Sequence, residues 1–141
     1  MDMSPMLAPV VVLVAWSLVM WLWMYATRIP AMRRLRTPMD PRLPKDATVG
    51  ALPPEVRWKA DNYNHLMEQP TIFYAIVLAL VLMGFDHPIN VMLAWAYVGL
   101  RIAHSIVQAT VNIVAIRLAL FALATLCLAS LTIHAGLRLW H

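Results

Sequence analysis

Beyond residue 54 this chain has three apolar stretches, each too short to cross a bilayer unaided and each bordered by ionisable residues. Thr71 to Phe85 contains no charge, and Glu68 lies just before it. At about 1.5 Å per helical residue that stretch covers roughly 22 Å, against a hydrocarbon core of about 30 Å. Ile89 to Leu100 covers roughly 18 Å before Arg101, and Leu118 to Ile133 covers about 24 Å after Arg117. Helices of these sequences complete a crossing only by drawing Glu68 (with His65 and Asn64 behind it), Arg101, His104, Ser105 and Arg117 to the membrane boundary or below it.

The rest of the chain agrees with a membrane reading. Met6 to Thr27 is free of charge and long enough to span, with Trp21, Trp23 and Tyr25 placed for an interfacial belt. Apolar residues make up 62% of the 141, where an ordinary soluble domain carries roughly 45–50%. We therefore expect an all-α integral membrane protein, a bundle of four transmembrane helices in a single domain over 1–141. The expected spans are approximately 5–27, 55–85, 88–111 and 113–139. Pro30, Pro38, Pro41, Pro44, Pro53 and Pro54 argue against a continuous helix through residues 28–54. That segment also carries Arg28, Arg33, Arg34, Arg36, Arg42 and Lys45, which makes it a cytoplasmic basic loop and puts the N-terminus outside. The basic excess thus reads as a topology signal, and no nucleic-acid partner is expected. Met1-Asp2-Met3 supplies no basic leader region, so the first span is read as retained. The single cysteine, Cys127, excludes an intrachain disulfide. No HExxH, CxxC or Walker pattern is present, and no metal is expected.

Measured from the outer helix ends, Glu68, Arg101, His104 and Arg117 all fall roughly 20–25 Å down, in one layer toward the cytoplasmic face. Arg101, His104, Ser105, Gln108 and Asn112 form one helical stripe, and Arg57, Asp61, Asn64 and Glu68 form another. A charge at mid-membrane costs at least about 2.5–3.5 kcal/mol, so these stripes are expected to face each other, a neighbouring subunit or a wet cleft. Glu68 and Arg101 are the natural pair. Arg117 has no acidic residue on its own helix, so it either pairs with Glu68 across the bundle or awaits an anionic ligand; with two arginines to one glutamate the layer is net cationic, which suits such a ligand. Pro70 is expected to kink the second span beside Glu68. His65 and His104 in one layer also admit a bis-histidine haem, a weaker signature.

Two motifs carry a resemblance. Asp61-Asn62-Tyr63-Asn64-His65-Leu66-Met67-Glu68-Gln69-Pro70 heads the second span. Arg101-Ile102-Ala103-His104-Ser105 lies on the third, followed by Asn112 and Arg117. With the four spans and the basic first loop, these residues resemble the MAPEG family (membrane-associated proteins in eicosanoid and glutathione metabolism), in an uncharacterised bacterial-type branch. The resemblance implies a homotrimer in the bacterial cytoplasmic (inner) membrane, with glutathione bound between subunits near the cytoplasmic side. It implies that Asn64, Glu68, Arg101, His104, Gln108 and Arg28 are binding residues, and that Arg117 stabilises the glutathione thiolate. The sequence departs from the family pattern in three places. Asn64 and Glu68 are four residues apart where three is usual, Gln108 stands where several members have tyrosine, and Leu118 stands where a serine assists.

The expected function is a glutathione-dependent membrane transferase or peroxidase acting on lipophilic electrophiles that arrive from the surrounding lipid. The alternative is a non-enzymatic lipid-binding protein, or an accessory subunit with other membrane proteins as partners.

Overall fold

The structure is a computed structural model that describes residues 2–141. Its helices are α1 (Leu7–Arg34), α2 (Pro54–Leu66), α3 (Gln69–Leu82), α4 (Pro88–Thr110) and α5 (Val114–Trp140). Four segments are long and apolar enough to cross a membrane: α1, α2 with α3 as one interrupted span, α4 and α5. The protein is thus an all-helical integral membrane protein, as the apolar stretches require.

Helix starts follow local chemistry. Proline stands in the first turn of α2, α3 and α4, where its missing N–H costs nothing and its fixed φ favours the helix. The imidazole Nδ1 of His87 accepts from the Ile89 N–H at 3.3 Å and caps α4. At the other end of its span, α3 closes on Gly84, whose φ of +62° is the left-handed turn that glycine adopts freely. There the Phe85 N–H returns to the Leu80 carbonyl at 2.9 Å and the Gly84 N–H to Val81 at 3.0 Å, a Schellman closure.

Two expectations change. The first helix does not stop at Thr27 but runs through Pro30 to Arg34. A single proline near a helix end removes one backbone bond, and the rest of the last turn remains intact. Arg28 therefore lies on a helix and not in a loop. The second span, expected as one helix over 55–85, breaks at Met67 and Glu68, where Glu68 adopts a non-helical backbone with ψ −98°. Pro70 cannot bond the Leu66 carbonyl, and the break falls beside Glu68 as its position suggested.

The core sits where α4 meets α5, α2 and α1, and α3 packs on α5. Phe73, Val77, Leu80, Tyr97, Leu128 and Leu131 fill it, with Phe73 and Tyr97 stacked at 4.2 Å. Outward faces are apolar: Leu18, Leu22, Ile72, Met92, Leu118, Leu126 and Ile133 are all exposed on the protomer. A water-soluble monomer does not present such continuous apolar surface, and lipid is its natural solvent.

The polar residues are arranged the other way round. Ser105 Oγ accepts from Trp16 Nε1 at 2.9 Å and from Asn62 Nδ2 at 2.6 Å, tying α1, α2 and α4 together. Gln69, at the break, accepts from Tyr97 Oη at 3.1 Å and donates to Thr125 Oγ1 at 3.0 Å. Near the opposite end His134 Nδ1 meets Asn90 Oδ1 at 2.7 Å. Within lipid such bonds are worth about 0.6 to 2 kcal/mol each and fix which helix neighbours which.

Segment 35–53 holds two short 3-10 turns, Lys45–Ala47 and Val49–Ala51. Here Asp40 accepts from the Arg42 guanidinium at 3.1 and 3.2 Å, which holds its carboxyl below the usual range. This is the only ion pair among the described residues, and it lies on the surface.

Candidate functional site: a buried arginine layer

The α4 stripe faces inward. Arg101 is fully buried, and His104, Ser105 and Gln108 are buried with it. Arg101 Nη2 donates to His65 Nδ1 at 2.9 Å and to the His65 carbonyl at 3.3 Å. Arginine is always protonated and only donates, so His65 Nδ1 is the acceptor and its proton resides on Nε2. The guanidinium therefore sits against the carbonyl end of α2, the negative end of that helix. Its remaining nitrogens, Nε and Nη1, are buried without a partner.

His65 and His104 stack at 4.9 Å with their rings 12° from parallel. Phe121 of α5 packs against both rings, and the Arg101 guanidinium lies 5.7 Å from its centroid. Arg117 completes the group, its Nη1 donating to Asn112 Oδ1 at 2.7 Å while Nε is buried and unpartnered. His65, His104, Val114, Arg117, Leu118 and Phe121 line an open cavity of about 200 Å³. Three helices thus bring ionisable side chains to one level, as the short apolar stretches demand.

Some expected residues lie elsewhere. The stripe of Arg57, Asp61, Asn64 and Glu68 is exposed along its whole length and points away from the protomer's own core. It does not face the α4 stripe, because the face of α2 that meets α4 carries Asn62, His65 and Leu66. The expected Glu68–Arg101 pair is consequently absent: Arg101 is met by His65 and by α2 backbone. Gln108 is buried one turn beyond His104 with Oε1 unpartnered, and it does not line the cavity. Arg28 lies in a separate groove with Tyr25, Ile29, Met32, Arg33, Met39 and Val49.

Sequence reasoning placed His65 in the membrane but not in the site, and it did not single out Phe121. The signal for His65 was its spacing. It stands three residues before Glu68, the interval that the family pattern gives to a polar side chain, whereas Asn64 stands four before. Phe121 carried no signal among so many apolar residues.

The haem alternative fits this geometry poorly. A bis-histidine site holds iron between two opposed ring nitrogens, whereas these rings lie face to face. Among the described residues no group of three histidine, cysteine or acidic side chains is placed to hold a metal ion.

No curated protein and no solved structure matches the chain. The model of the MAPEG family does, over residues 6–137, and that match reaches into all four spans and takes in the whole arginine layer. This protein belongs to the MAPEG family.

Proposed function

We propose that this protein is a glutathione-dependent membrane transferase or peroxidase, with glutathione held over the Arg101–Arg117 layer and lipophilic electrophiles arriving from the bilayer. Family membership suggests glutathione-related chemistry. The observation that carries the reading is electrostatic: Arg101 is completely buried, yet no carboxylate among the described residues neutralises it.

A buried cation without a counter-ion is costly, and each unsatisfied donor adds about 1–3 kcal/mol. A bound anion in the adjoining cavity offsets the charge. Arg117 reinforces the demand, because it stands in the first turn of α5, where the helix dipole is already positive and no acidic residue offsets it. Glutathione brings two carboxylates and a thiol, a match to two arginines held at one level. In this reading His104 lines the site, and Arg101, which is buried against His65 and does not itself line the cavity, contributes its positive charge from behind that wall. Arg117 favours the thiolate over the thiol, which turns a weak nucleophile into a strong one.

The protomer supplies only part of such a site. Its cavity of about 200 Å³ lies below the ~300–1,000 Å³ of usual small-molecule pockets. The outward stripe with Asn64 and Glu68 supports a second wall, since polar residues at membrane depth are expensive against lipid and inexpensive against another subunit. We assign Asn64 and Glu68 to a subunit interface of a homotrimer and to the glutathione ammonium, with Arg28 reaching a neighbouring copy. The basic segment 28–54 supports a cytoplasmic position for the layer and an external N-terminus, and the family resemblance supports the cytoplasmic membrane of a bacterium.

The test is turnover by the purified protein of glutathione with a chromogenic aryl halide and with a lipid hydroperoxide, beside calorimetric glutathione binding. Activity that disappears in Arg117→Ala while the protein stays folded supports the proposal. Neither turnover nor glutathione binding in the unaltered protein refutes it, and stoichiometric co-purification of other membrane chains then favours an accessory subunit.

A further inference from the structure

Asn112 ends the α4 stripe and occupies the tight turn into α5. Its φ is +51°, a left-handed conformation that asparagine adopts more readily than most side chains. Its N–H returns to the Val107 carbonyl at 2.7 Å, which closes α4. The side chain does something different. It stands one residue before Ile113, the cap position of α5, where no side chain satisfies the free N–H groups of the first turn. Its Oδ1 is turned to Arg117 Nη1 at 2.7 Å.

The consequence is directional. A guanidinium is planar and its donors form a rigid fork, so holding Nη1 sets where Nε and Nη2 point. Arg117 Nε is buried and unpartnered, and the side chain lines the cavity with His65, His104 and Phe121. The holder is also neutral. A carboxylate at this position would grip the arginine more strongly but would neutralise it, whereas an amide oxygen orients the charge and leaves it available.

We propose that Asn112 is a positioning residue, aiming the Arg117 guanidinium at the sulfur of bound glutathione without neutralising its charge. The inference rests on the reading of Arg117 given above. In the step concerned, the S–H bond of glutathione breaks, the electron pair stays on sulfur, and the proton leaves to solvent. Arg117 stays protonated throughout and faces the resulting thiolate.

Two substitutions separate the roles of backbone and side chain. Asn112→Gly keeps the left-handed turn and deletes the acceptor, and Asn112→Asp keeps turn and acceptor but neutralises Arg117. The readouts are glutathione affinity by calorimetry and the ultraviolet thiolate absorbance of bound glutathione as a function of pH. Asn112→Gly should bind glutathione almost as well as the unaltered protein, yet its bound thiol should ionise about one pH unit higher, a roughly tenfold loss of thiolate on the rising limb. Asn112→Asp should shift ionisation in the same direction. A thiolate profile unchanged in Asn112→Gly overturns the role of Asn112 and leaves the glutathione reading intact. Should that variant not fold, an unchanged profile in Asn112→Asp overturns it equally. Failure of the unaltered protein to bind glutathione overturns the function and the role of Asn112 together.

Discussion

Arg101 on α4 donates to His65 Nδ1 on α2 at 2.9 Å, and no carboxylate touches it. The contact joins the two helices at the point where the second span breaks, since the same arginine also takes the His65 carbonyl there. A neutral imidazole orients the guanidinium and leaves its charge unspent. The arrangement resembles that of Arg117 with Asn112, so both arginines of the layer are held by neutral acceptors.

That shared feature sets a trade between stability and binding. Arg101→Met removes a buried charge that lacks a counter-ion and also two hydrogen bonds to His65, effects of opposite sign. The melting temperature in detergent should change by only a few degrees without glutathione. Glutathione affinity should fall about tenfold, roughly 1.4 kcal/mol, as the layer loses one of the two positive charges that attract the ligand. Melting curves with and without glutathione check this, and a variant that unfolds outright would make Arg101 a structural residue.

The outward stripe yields a prediction of unusual sign. If Glu68 faced lipid, Glu68→Leu would stabilise the protein, because it removes a charge from the membrane. Facing a neighbouring subunit, the same substitution should weaken both the trimer and glutathione binding. Light scattering on the detergent-solubilised protein reads the first effect, and calorimetry the second.

Ser105 accepts from both Trp16 and Asn62, so Ser105→Ala strands a buried and a half-buried donor at once. We expect a loss of about 1–3 kcal/mol, seen as a lower melting temperature. Glutathione affinity should be nearly unchanged, since Ser105 does not line the cavity. Ser105→Cys, which retains a weak acceptor, should recover part of the loss.

Pro70→Ala restores the N–H that the second span lacks and permits the Leu66 carbonyl to be bonded within the helix. Closing the break moves His65 and Glu68 relative to each other. Affinity for glutathione should therefore fall while the protein becomes no less stable. Unchanged binding would mean that the break is incidental to the site.

Some of this molecule was legible in its residues. The spans follow from hydrophobic length, which is a one-dimensional property, and so does the common depth of Arg101, His104 and Arg117. The kink beside Glu68 was legible because the missing N–H of Pro70 is a local fact. The inward face of α4 was legible in its spacing, although not which neighbour it would meet. The end of α1 was misjudged because a single proline costs one hydrogen bond, which a long helix absorbs.

What the linear order determined, then, is that these ionisable groups share one level of the bundle, because a fixed rise per residue places them at matching distances from their helix ends. Partnership was decided only in three dimensions. The rotation of α2 about its own axis turns His65 toward Arg101 and Glu68 away from it, and no periodicity within α2 shows which of its faces packs on α4. That rotation is set by side chains of three helices packing at once, with the Trp16–Ser105–Asn62 bonds locking it in place.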